Sequence, residues 1–109
     1  MALENLAQAG QLRLRVTGTS MLPAIPPGTD VLIRRTSPDD VVPGDVVLLR
    51  AYGGVRLHRL ASKIGAGSSS VLITRGDNHT EPDPPVRGTE LLGVLERIER
   101  RGGKWWRRA

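Results

Sequence analysis

Val46-Val-Leu-Leu-Arg50-Ala-Tyr-Gly-Gly54-Val-Arg-Leu-His58-Arg-Leu60 decides the fold. Two strand-like runs, Leu48–Tyr52 and Val55–Leu60, flank Gly53-Gly54, and this pattern predicts a tight β-hairpin turning at the glycine pair. Working outward, Pro26-Pro27-Gly28-Thr29 and Val42-Pro43-Gly44-Asp45 each place Pro then Gly centrally, as a type II turn requires. Each leads into an apolar run, Val31–Arg34 and Val46–Arg50. Gln11–Val16 alternates, with Leu12, Leu14 and Val16 on one face of a half-buried strand. Gly65–Ser70 is a looser connection into Val71–Thr74, and Pro82, Pro84 and Pro85 mark an irregular loop. Leu91–Arg101 fits either a helical face or a strand; Gly102-Gly103 before Trp105-Trp106 suggests another hairpin and favours the strand. Residues 2–9 read as a short helix stopped by Gly10. The expectation is a mostly β domain, a compact, coiled antiparallel sheet partly closed into a barrel, with a short N-terminal helix. It divides into an N-terminal segment (1–10), the β domain (11–101) and a basic, Trp-containing tail (102–109).

Composition bounds the rest. At 109 residues the chain is the size of one domain. Leu, Ile and Val number 29, above the ~20% level below which a packed core fails. With Tyr52, Trp105 and Trp106 as the only aromatics, that core must be aliphatic. The absence of cysteine excludes disulfides, thiolate metal sites and a cysteine nucleophile. No apolar run approaches the ~18–20 residues that span a bilayer, and the first ten residues lack the pattern of a signal peptide. The expected location is cytoplasmic, with peripheral membrane attachment as the alternative. The net charge of +5 is concentrated in the last 13 residues, which hold Arg97, Arg100, Arg101, Lys104, Arg107 and Arg108.

Three segments carry chemistry. Val16-Thr-Gly-Thr-Ser20-Met-Leu-Pro23 presents Ser20 on a constrained turn between a strand and a Pro-rich loop. A nucleophilic serine needs that exposure and free backbone N–H groups nearby to hold an oxyanion. His58 stands in an extended run, and an imidazole, with an ordinary pKa of about 6.5, accepts a serine proton near neutrality. Thr74-Arg-Gly-Asp77-Asn-His-Thr-Glu-Pro-Asp83 starts with a turn in which Asp77 caps backbone, leaving Asp83 to orient a histidine. Asp77, His79, Glu81 and Asp83 together also spell a loop metal site, but no second histidine stands at i+3 or i+4, so neither metal nor cofactor is expected.

Thr17-Gly-Thr-Ser20-Met-Leu-Pro23, Pro43-Gly-Asp45-Val-Val, His58-Arg-Leu60 and Gly76-Asp-Asn78 with Asp83 occur in the order found in the type I signal peptidases and their LexA-like relatives. The resemblance spans about residues 12–100. It implies a serine endopeptidase on a coiled, mostly antiparallel β fold, acting on a polypeptide. On that resemblance Ser20 matches the nucleophile and His58 the general base, as in the histidine-base type of archaea and the endoplasmic reticulum. Asp83, seven residues after Gly76, matches the acidic partner. Asp77 is the alternative third residue and otherwise supports the site, as do Gly18 and Met21 beside the nucleophile. Family members that process exported proteins carry a membrane anchor that these residues do not contain. The serine found two positions before the nucleophile in many members is Gly18 here, which leaves backbone donors such as the Ser20 N–H to form the oxyanion hole.

The rival reading is a binding module without catalysis. Arg100-Arg-Gly-Gly-Lys-Trp-Trp-Arg-Arg108 pairs cations with tryptophan, which suits a membrane surface or a membrane partner better than it suits nucleic acid in a chain otherwise nearly balanced in charge.

Overall fold

The computed structural model describes Leu6, residues 9–99 and Trp105–Trp106. Its strands are β1 (Gln11–Arg15), β2 (Asp30–Arg35), β3 (Val46–Ala51), β4 (Gly54–Ile64), β5 (Val71–Arg75), β6 (Val86–Arg87), β7 (Leu91–Glu99) and β8 (Trp105–Trp106). All pairings are antiparallel. The order is β1-β2-β7-β3-β4-β5-β6, with β8 beside the end of β7. β1 and β6 terminate this path, so the antiparallel sheet is open and does not complete a barrel. Of the expected helix at 2–9, Leu6 and Ala9 are among the described residues. Leu6 is buried and its carbonyl accepts the Gly10 N–H at 2.9 Å, while Gly10 leaves the turn at φ +78°.

Local chemistry explains the turns. Gly28 and Gly44 take the positive φ demanded of the third residue of a type II turn, and the closing bonds run from Thr29 to Pro26 and from Asp45 to Val42. The central hairpin is displaced by one residue from the expected place. Ala51 pairs with Gly54, so the loop is Tyr52-Gly53, not Gly53-Gly54. Both loop residues have positive φ, +52° and +77°, as in the mirror-image turn whose twist matches that of the flanking strands. Gly53 meets that demand freely, and the register of the strands imposes it on Tyr52.

The segment that reads both as helix and as strand is β7, and it lies between β2 and β3, pairing with each. Gly93 permits this close seating, since a Cβ there would stand 2.5 Å from Ile33 Cγ2 and 2.8 Å from the Arg34 carbonyl. Trp105 and Trp106 pair with Glu99 and Ile98. The Gly102-Gly103 turn itself lies outside the described residues.

β3 organises the interior. Val46 and Leu48 belong to a cluster with Leu12, Met21, Ile25, Val31, Ile33 and Ile98. Val47 and Leu49 point the other way, into a second cluster with Val41, Leu60, Leu72, Leu91 and Val94. Arg50 of β3 is exposed, but the first four residues, Val46–Leu49, are all buried, so this stretch has no solvent face and reads as an unbroken apolar run. Each such side chain contributes about 1.5–3 kcal/mol by leaving water.

Candidate active site

β4 carries the first element of the site. Alternation puts Arg56, His58 and Leu60 on one face of it, and His58 sits opposite Val47 of β3 at the border of the second cluster. β5 adds Thr74, which pairs with Leu60. The loop that follows β5 then folds back, with the Asp83 N–H bonded to the Thr74 carbonyl at 2.8 Å. This bond brings the Asp83 carboxylate over the face that carries His58.

His58 is buried, and its Nδ1 lies 2.6 Å from Asp83 Oδ2. The Thr74 hydroxyl donates to the same oxygen at 2.8 Å, and Arg56 Nε approaches it to 3.5 Å. Burial is the largest single influence on the Asp83 carboxyl and pushes its pKa up. The hydrogen bonds from His58 and Thr74 and the charges of His58 and Arg56 together outweigh it, holding the group below its ordinary range. An ionised carboxylate only accepts hydrogen bonds, so His58 Nδ1 carries the hydrogen, and in the neutral ring Nε2 keeps its lone pair. That is the tautomer a general base needs.

Nε2 points toward Gly76. A Cβ built on Gly76 would stand 3.2 Å from His58 Nε2, 2.8 Å from the Ser20 carbonyl oxygen and 2.9 Å from His79 Nδ1. The backbone of Ser20 and the free nitrogen of His58, 38 positions apart in sequence, therefore flank one point in space. The Ser20 carbonyl also accepts the Asn78 N–H at 2.8 Å, which ties the serine turn to the Gly76–Asn78 turn. Among the described residues, no hydrogen bond joins the Ser20 hydroxyl to His58, and the Ser20 N–H donates to no protein group. Ser20 itself is half-buried.

The remaining candidates fall into supporting places. Asp77 receives Arg59 Nε and Nη2 at 2.9 and 2.8 Å, and Arg59 also donates to the Gly44 carbonyl. That paired hydrogen bond is the first cause holding the Asp77 carboxyl below its usual range, against the opposing effect of burial. Asp77 thus fastens the turn to the β3 approach, whereas the His58 ring donates its hydrogen bond to Asp83. Met21 is a core residue, and its Sδ accepts the Asp77 N–H at 3.5 Å. Gly18 is exposed, with open space where a Cβ would be. Glu81 is exposed, while His79 stacks edge-on against His58 with ring centres 5.3 Å apart.

Three contributors to this geometry have no site role in the motif reading. Thr74 has a sequence signal, a hydroxyl at the buried register of β5, two residues from Leu72. Gly76 reads only as a turn residue, and nothing local to it reports the serine carbonyl it faces. Arg56 reads as a surface cation, yet its Nε and Nη2 are enclosed without a hydrogen-bond acceptor while its guanidinium lies 5.6 Å from the Tyr52 ring centre.

A protein-family comparison matches the Peptidase S24-like family over residues 4–95. The chain belongs to that family. No curated protein matches the sequence closely. The Peptidase S24-like match covers Ser20, His58, Asp77, His79 and Asp83, and such a family acts on polypeptides. Among the described residues no helix is long and apolar enough to cross a membrane. Of the basic tail, Trp105 is half-buried, with the Arg13 guanidinium 5.7 Å from its ring centre; residues 100–104 and 107–109 lie outside the described residues.

Proposed function

We propose that this Peptidase S24-like chain is a serine endopeptidase of the histidine-base type, with Ser20 as nucleophile, His58 as general base and Asp83 as the acid that orients it. The observation that carries the reading is the 2.6 Å Asp83–His58 contact, with the opposite ring nitrogen turned toward the point that the Ser20 backbone also borders. In the proposed reaction His58 Nε2 takes the Ser20 hydroxyl proton as Oγ attacks the peptide carbonyl carbon. The Ser20 N–H stabilises the oxyanion of the tetrahedral intermediate. The intermediate collapses when His58 returns the proton to the departing amine, leaving an acyl-enzyme. Water, deprotonated by His58, releases the acid and restores the serine. Asp83 holds the tautomer and stabilises the imidazolium formed at each step.

An extended polypeptide fits this arrangement. Among the described residues β1 is paired on one side only, and Ser20 follows its end by five residues, so a substrate strand can add to that edge and reach the serine. The decisive measurement is covalent labelling by a serine-directed fluorophosphonate together with cleavage of an unfolded protein substrate. Wild type is expected to be labelled at Ser20, and Ser20→Ala to lose labelling and cleavage by about 10⁶-fold, as for other activated serines. Cleavage by Ser20→Ala at the wild-type rate would refute the proposal.

A further inference from the structure

His79 stands where two observations meet. Its Nδ1 lies 2.9 Å from the point that His58 Nε2 approaches to 3.2 Å, and that point is empty of side chain because residue 76 is glycine. One ligand atom from each of His58, His79 and Asp83 lies within 4.8 Å of the other two. His58 is already arranged as a metal ligand would be. Asp83 engages its Nδ1, which fixes the ring and raises the basicity of the other nitrogen, as in carboxylate–histidine–zinc triads.

We propose that His58 Nε2 and His79 Nδ1 bind a divalent transition metal of the zinc class, with Asp83 supporting His58 from behind and water completing the coordination. Two neutral imidazoles suit Zn²⁺, Cu²⁺ or Ni²⁺ and not the oxygen-seeking Mg²⁺ or Ca²⁺. Tetrahedral zinc with bonds of about 2.0–2.1 Å draws both nitrogens in toward one point. His79 is exposed and sits on a loop, so it is the ring that moves, while His58 is held in the sheet. His58 keeps its Nδ1 contact with Asp83 while Nε2 takes the metal. Metal bound there occupies the lone pair that the proposed reaction uses, so it inhibits the peptidase reversibly. The inhibition rests on the function proposed above; the binding does not.

The test is calorimetric titration of the full chain with zinc sulfate near neutral pH, beside cleavage assays with and without the metal. Wild type and Ser20→Ala are expected to bind one Zn²⁺ alike. His79→Ala, which keeps the backbone bonds of that turn, is expected to bind roughly tenfold or more weakly, and Asp83→Asn about 10–100-fold more weakly. Cleavage by His79→Ala, whatever its basal rate, is expected to resist zinc concentrations that inhibit wild type. Wild-type affinity in His79→Ala, or no binding by wild type at millimolar zinc, would overturn the site. Zinc binding that depends on His79 in a protein whose Ser20 never labels would leave the metal site standing and remove the peptidase.

Discussion

Gly76→Ala is the most economical perturbation of the site, because one methyl group meets three of its atoms. The added Cβ would lie 2.8 Å from the Ser20 carbonyl oxygen, a backbone atom held by the Asn78 N–H. An ordinary C···O contact is about 3.3 Å or more, so the serine turn must retreat by roughly 0.5 Å. His79 can swing aside, but the Ser20 main chain cannot yield without straining its bond to Asn78. Overpacking of this kind costs about 1–3 kcal/mol of stability. A misplacement of about 1 Å costs roughly 100-fold in rate, so the half-ångström shift is expected to lower kcat/KM about tenfold and, with the methyl also crowding Nε2, up to about 100-fold. The assay is cleavage of a fluorogenic polypeptide, with urea unfolding to show that the variant is folded under assay conditions. Folded Gly76→Ala with kcat/KM within about twofold of wild type would refute the placement of Ser20 and His58 around this glycine.

Two predictions concern stability. Asp77 is held below its unfolded pKa chiefly by Arg59, so its contribution is present above the unfolded value of about 3.9 and is lost as pH falls through the lower folded value. Wild type is therefore expected to be more stable than Asp77→Asn at neutral pH, with the gap closing below about pH 4; a gap that stays constant down to pH 2.5 in urea titrations would contradict the Arg59 pairing. Leu48→Ala and Leu49→Ala remove fully buried side chains from opposite faces of β3, and each is expected to cost about 2–5 kcal/mol. An effect below about 1 kcal/mol at either position, read by chemical denaturation, would mean that one of the two cores is loosely packed.

The order of elements is legible wherever the sequence states a local demand. Pro-Gly pairs at 26–29 and 42–45 need one particular backbone shape, and the apolar runs after them have no alternative to the sheet. What local pattern cannot supply is pairing across the chain. Leu91–Glu99 looks ambiguous because its apolar residues divide between the two clusters, Leu91 and Val94 in one and Leu92, Leu95 and Ile98 at the other, and register shifts interrupt its pairing with β2 and β3. β6 follows Pro84-Pro85 and is only two residues long, too short to show any period. The same division holds at the site. Ser20, His58 and Asp83 stand out by residue type and order, but the second imidazole beside His58 comes from a loop 21 positions away, so spacing rules for metal ligands do not detect it.

The insertion of β7 between β2 and β3 has a consequence for how the molecule is made. A chain emerging from the ribosome exposes residues 30–51 long before residues 91–99 arrive to join them, so two long strand edges must wait unpaired. The sheet's central pairings therefore wait for residues 91–99, and a topology rich in such distant contacts folds slowly. The hydrophobic interior that braces the serine turn, through Met21 and Ile25 against Ile98, closes only at that moment. The site proposed above is therefore complete only once residues 91–99 have joined the sheet.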